Sequence, residues 1–125
     1  MRARDPPALV HPHPAWRYAG TWSSNPVALN TYSLNNLGLV YQRLGRYEEA
    51  TACQQDSRTI FRELGERHGE AEALRDLGDA LRATGRSSEA EAGWREALAI
   101  CEALEIPEAD EIRDRLVTLP SQIAD

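Results

Sequence analysis

Few side chains in this sequence could carry chemistry at neutral pH, and their spacing narrows the field. The candidate ligands and nucleophiles are three histidines, His11, His13 and His68, and two cysteines, Cys53 and Cys101. His11 and His13 alternate with Pro12 and Pro14 and have no Cys or further His nearby, whereas a metal site needs three or four converging donors. His68 stands alone in what reads as a connector. Cys53 and Cys101 fall on helical patterns, where a lone cysteine behaves as a small apolar residue. Carboxylates are plentiful but sit at ordinary ion-pair spacing: Glu91 with Arg95 and Glu111 with Arg115 are i,i+4 pairs on solvated faces. No nucleophile–His–acid set and no metal-ligand spacing appears. The chain is therefore expected not to be an enzyme and to have no catalytic residue, no metal ligand and no cofactor. Every basic residue is Arg. Without Lys, a Gly-x-x-x-x-Gly-Lys phosphate loop is excluded.

Bulk properties limit the remaining classes. A chain of 125 residues is one domain or part of one. Its hydrophobic fraction of 42% allows a core, and with only 6% aromatic residues that core is built from Leu, Ala and Ile. No apolar run approaches the ~20 residues that span a membrane. Met1 to Val10 lacks the long apolar centre of a secretory signal. A cytoplasmic location and no membrane contact are expected. The net charge of −6 is unevenly placed: Met1 to Arg46 carries five Arg against one Asp, while Tyr47 to Asp125 carries nine Arg against nineteen acids. Phosphate affinity needs a basic face, so this acidic body is not expected to bind nucleic acid directly.

What remains is recognition by a surface, and a surface needs elements to position it. Those elements are written twice. Shifted by forty positions, Leu34, Leu37 and Gly38 fall on Leu74, Leu77 and Gly78; Gly45 and Arg46 on Gly85 and Arg86; Glu49, Ala50 and Ala52 on Glu89, Ala90 and Ala92; Ile60 and Leu64 on Ile100 and Leu104. A fixed period of this size marks a stacked repeat.

Each unit reads as two helices. Asn25-Pro26 is a helix start, an N-cap residue followed by proline at the first helical position. Leu34, Leu37, Val40, Tyr41 and Leu44 follow at three-to-four spacing and read as one helix face. Gly45 ends this helix. A second helix runs from about Tyr47 to Leu64, with Tyr47, Ala50, Cys53 or Gln54, Ser57, Ile60, Phe61 and Leu64 inward, and Gly65 closes it. The second unit repeats this from His68 to Thr84, with Ala71, Leu74, Leu77, Gly78 and Leu81 on its face. After Gly85 comes a helix with Ser87 as N-cap, continuing through Ala90, Trp94, Ala97, Ile100 and Leu104. Pro107 opens a shorter helix, about Glu108 to Leu119, with Ala109, Ile112, Leu116 and Leu119 as a narrow apolar stripe. Charge on its other side marks it as a capping helix. Ahead of the repeats, residues 1–25 form a proline-rich leader, disordered or loosely docked. Its Trp16, Tyr18 and Trp22 are expected to dock, either on the open end of the stack or on a partner.

The unit resembles a tetratricopeptide repeat: Leu, Leu-Gly, an aromatic or Leu, a Gly turn, then Ala, an aromatic and Ala. The first copy supplies Leu34, Leu37, Gly38, Tyr41, Gly45, Ala50, Gln54 and Ser57. The second supplies Leu74, Leu77, Gly78, Leu81, Gly85, Ala90, Trp94 and Ala97. Gln54 and Ser57 depart from the pattern, so the first copy is the weaker. The resemblance implies an all-α fold: an α-solenoid of two tetratricopeptide-like helix hairpins plus a C-terminal capping helix. The repeat domain then covers 26–119, with repeats at about 27–65 and 67–105, the cap at about 108–119 and a tail at 120–125. The usual period is about 34 residues, so forty implies a longer second helix and connector, absorbed around Arg62 to Glu70. Gly38 and Gly78 are expected where paired helices cross, opposite Ala50 and Ala90.

Longer stretches narrow the likeness. Leu44-Gly45-Arg46-Tyr47-Glu48-Glu49-Ala50, Arg62-Glu63-Leu64-Gly65-Glu66-Arg67 and Pro107-Glu108-Ala109 with Ile112-Arg113 are similar to C-terminal arrays of actinobacterial transcriptional regulators. Those are the antibiotic-regulatory-protein and NB-ARC types. The resemblance implies a protein–protein interaction module that binds a peptide or helix of a partner protein on its concave face. The first helix of each pair lines that face. By repeat position it presents Tyr32, Asn35, Leu39 and Gln42, then Glu72, Arg75, Asp79 and Arg82. Chaperone docking through a carboxylate clamp is not expected, because the clamp Asn position is Leu39. The alternative is a truncated sensor or regulatory segment of a bacterial transcriptional regulator. About three repeats are usually needed for a stable stack. The open N-terminal end of this one is therefore expected to be apolar, and covered by the leader or, as a homodimer, by a second copy.

Overall fold

The computed structural model describes residues 25–118. The leader with Trp16, Tyr18, Trp22, His11 and His13, and the end of the chain from Leu119, lie outside the described residues. Five helices follow one another: α1 (Pro26–Arg43), α2 (Tyr47–Leu64), α3 (Arg67–Ala83), α4 (Ser87–Leu104) and α5 (Glu108–Thr118). There is no strand among the described residues. Each helix packs on the next, α1 on α2 through α4 on α5, which is the pattern of a helix-hairpin solenoid.

Local chemistry accounts for most helix ends. Asn25 caps α1, its Oδ1 accepting from the backbone N–H of Val27 at 2.9 Å and of Ala28 at 3.2 Å. Gly45, Gly65 and Gly85 all turn in the left-handed region, with φ of 78°, 74° and 84°. Glu105 takes the same conformation at φ 58°, forty positions after Gly65, and is the non-glycine residue at that turn. Two expectations are corrected. Ser87 is the first helical residue, and the N-cap position is Arg86, which makes no side-chain cap. In its place Arg86 pairs with Glu89 at 2.6 Å, as Arg46 pairs with Glu49 at 2.7 Å, so each second helix opens on an Arg–Glu clasp in the same register. The connector around Arg62 to Glu70 is also short: only residues 65 and 66 separate α2 from α3, and the longer period resides in the helices.

The core is lopsided. Its main cluster joins Ala71, Leu74, Leu77 and Leu81 of α3 to Ala90, Trp94, Ala97, Ile100 and Cys101 of α4, and to Ala109 and Ile112 of α5. The α1–α2 hairpin is instead closed by small and polar residues: Ala28, Thr31, Asn35 and Gly38 against Ala50, Gln54, Ser57 and Phe61. Gln54 and Ser57 are both fully buried, yet neither is left unsatisfied. The Ser57 hydroxyl donates to the carbonyl of Cys53 at 2.9 Å. With its amide nitrogen turned inward, Gln54 donates to the carbonyls of Asp76 at 3.2 Å and Ala50 at 3.3 Å, joining α2 to α3.

The glycines sit against large side chains. A Cβ on Gly38 would lie 2.8 Å from Cγ of Gln54, and one on Gly78 would lie 2.5 Å from Cδ1 of Trp94. Gln54 and Trp94 sit one turn beyond Ala50 and Ala90. Gly69 makes a third such contact, with Phe61 at 2.6 Å. The close backbone approach on the α4 side is made by Gly93, next to Leu74 and Gly78.

α1 presents an apolar surface, as expected for the open end of a two-repeat stack. Leu29, Leu37, Val40 and Leu44 are exposed, Leu44 by 63%. The counterparts of the first three, Gly69, Leu77 and Ala80, are buried in α3, which packs between α2 and α4. α1 has a hairpin partner on one side only among the described residues, so the equivalent surface stays open.

Candidate functional site

The eight residues placed on the groove by repeat position fall into two groups once partners are traced. Asn35 offers no side chain to solvent: it is 3% exposed, and its Nδ2 donates to Oδ2 of Asp76 at 2.9 Å. It joins α1 to α3. Arg75 is half-buried, donates from Nε to Asp76 at 3.0 Å and reaches Glu111 of α5 at 3.4 Å. Asp79 accepts both arms of Arg115, at 2.7 and 3.0 Å, and accepts from the indole N–H of Trp94 at 3.2 Å. These three side chains therefore build a charged ladder across α1, α3 and α5.

Burial and charge act together along the ladder. Desolvation lowers the guanidinium of Arg75, but the carboxylates of Asp76, Glu72 and Glu111 outweigh it, and Arg75 is held above its ordinary range. Asp76 moves upward because burial outweighs the help of Arg75 and Asn35. Breaking one rung leaves a buried charge without its partner, which is the costly case for ion pairs out of water.

The other candidates are freer to meet a partner. Tyr32 is half-buried with its ring tilted against Phe61, centroids 4.6 Å apart. Burial pushes its hydroxyl well above the usual tyrosine range, with Glu72 and Glu66 adding to the shift. Leu39 and Gln42 are half-exposed, and the outward amide oxygen of Gln54 accepts from the Gln42 amide at 3.2 Å. Arg82 is exposed and has no carboxylate partner among the described residues. It borders an open cleft of about 480 Å³ that is also lined by Asp79, Ala83, Ser87, Trp94 and Arg115.

One constellation escaped the sequence reading. His68 is the second residue of α3, not a connector residue, and its Nε2 lies 3.3 Å from Glu108 of α5. Its Nδ1 lies 3.8 Å from Glu72, one turn along α3. Glu108 holds in α5 the repeat position that His68 holds in α3, so stacking sets them side by side. The only signal in the sequence was the i,i+4 spacing of His68 and Glu72. Cys53 and Cys101 are free thiols, and burial pushes Cys101 up to about 11, so neither is a poised nucleophile.

Among known families, a model described as tetratricopeptide repeat matches residues 28–103. No curated protein and no solved structure matches the chain.

Proposed function

From the premise that this chain belongs to the tetratricopeptide repeat family, whose repeats are generally protein–protein interaction modules, we propose that it holds an extended peptide or a helix of a partner protein. The binding face is the groove of α1 and α3 with Tyr32, Leu39, Gln42, Glu72 and Arg82 as its contacts, while Asn35, Arg75 and Asp79 keep the helices in register. The observation that supports this reading most directly is Arg82, an exposed cation beside an open cleft at the end of a rigid ladder. Exposed polar positions of this kind are where partner charge is read. The test compares partner capture by the native chain with capture by a Leu39→Asp/Arg82→Glu variant. Both sites are solvent-accessible, so the fold is retained. We expect the partner to be lost from this variant and kept by Gln55→Glu on α2. Equal capture by all three would reject the groove.

A second reading concerns assembly. Leu29, Leu37 and Val40 repeat positions that are buried in α3, and Leu44 extends the same exposed stripe. A second copy of the chain covers it in a homodimer. Sedimentation at micromolar concentration is expected to show a dimer that Leu37→Asp/Leu44→Asp converts to monomer. A native chain that sediments only as monomer contradicts this. The narrower reading of a sensing segment of a bacterial transcriptional regulator in the cytoplasm is supported by the wording of residues 44–50, 62–67 and 107–113. An adjacent reading frame encoding winged-helix and ATPase modules would support it further.

A further inference from the structure

We propose that His68, Glu72 and Glu108 bind a divalent transition-metal cation of the zinc class, which clips the capping helix α5 onto α3. One donor atom from each residue can be chosen so that all three lie within 4.8 Å of one another. A tetrahedral zinc ion with bonds of about 2.0–2.2 Å sets its ligands roughly 3.3–3.5 Å apart. Nε2 of His68 and Oε2 of Glu108 are already 3.3 Å apart. Glu72 closes by side-chain rotation, because it stands one helical turn from His68 on the same face.

A second observation concerns Glu108: its Oε1 is buried and has no hydrogen-bond partner among the described residues, while Oε2 faces His68. A buried carboxylate oxygen left without a donor is costly, and an ion held through both oxygens of Glu108 would satisfy it. Ala71, Cys101, Ile106 and Ile112 line the inner side of the same cluster. One imidazole and two carboxylates make a nitrogen–oxygen donor set suited to zinc, cobalt or manganese. They fill three positions of a tetrahedral shell.

The rival arrangement is a protonated His68 bridging two carboxylates with no ion. Zinc titration of the full, chelator-stripped chain separates the two, using calorimetry and a competing chromophoric chelator. The expected result is one zinc per chain at micromolar affinity or tighter, with a saturable rise in melting temperature. His68→Gln and Glu108→Gln are each expected to weaken binding at least about tenfold while keeping the helical circular-dichroism spectrum. His11→Ala/His13→Ala is expected to bind as the native chain does. X-ray absorption of the zinc-loaded native chain should show nitrogen and oxygen ligands and no sulfur, a readout that does not depend on any variant folding. Absence of stoichiometric zinc uptake overturns the proposal. So does binding that survives His68→Gln, that is lost with His11 and His13, or that shows sulfur ligation.

Discussion

Replacing Trp94 by Ala is expected to destabilise the chain by about 3–5 kcal/mol, a large share of the ~5–15 kcal/mol that holds a domain folded. Trp94 is 2% exposed and belongs to the cluster that joins α3, α4 and α5. Its indole N–H donates to the carbonyl of Arg75 and to Asp79, both at 3.2 Å. Truncation therefore opens a cavity and removes a donor from the ladder in one step. Trp94→Phe separates the two effects. It keeps much of the volume and loses the N–H, and Asp79 still has Arg115, so a loss of only about 1 kcal/mol is expected. Urea unfolding of the native chain and both variants, followed by circular dichroism, measures the three stabilities. A Trp94→Ala chain within 1 kcal/mol of native, on the same order-of-magnitude scale, would show that the indole is not the centre of the core.

Gly78→Ala is expected to lower stability although alanine is the better helix former. The propensity gain is about 1 kcal/mol. Against it, the new Cβ would meet the indole ring at Cδ1 within 2.5 Å and at Nε1 closer still. The ring has no room to retreat without losing both of its hydrogen bonds, so an overpacking cost of roughly 1–3 kcal/mol applies. Gly93→Ala is the internal control. Its Cβ meets nothing nearer than the Leu74 carbonyl oxygen at 3.5 Å, an ordinary contact. That variant is expected to be neutral or more stable by up to about 1 kcal/mol. Thermal melts of the two single variants read opposite signs if the glycine at 78 exists to seat Trp94. Equal shifts would remove that explanation.

The two hairpins are held by different chemistry. Where the second has Trp94 and Ala97, the first has Gln54 and Ser57, with amide and hydroxyl bonds in place of apolar volume. Asn35 then carries the join from α1 to Asp76. α3 is therefore held by an apolar core, whereas α1 is held largely by polar bonds.

What the chain order alone determined was everything that depends on near neighbours. Asn25-Pro26 starts a helix and a left-handed glycine ends one whatever lies across the fold, because a cap and a positive φ are satisfied within a few residues. The forty-residue echo then required those helices to stack. Partnership across the stack was decided by tertiary structure. Leu37 and Leu77 are the same letter at the same repeat position, yet one faces solvent and the other the core, since α3 packs between α2 and α4 while α1 packs mainly on α2. Asn35, Arg75 and Asp79 read as groove residues and became a ladder, because their partners Asp76, Glu111 and Arg115 arrive from helices one repeat away. His68 read as solitary until α5 folded back and brought Glu108 beside it. A helix face is written in a single turn, but what it meets depends on how far the next hairpin is displaced and rotated, and no local spacing encodes that geometry.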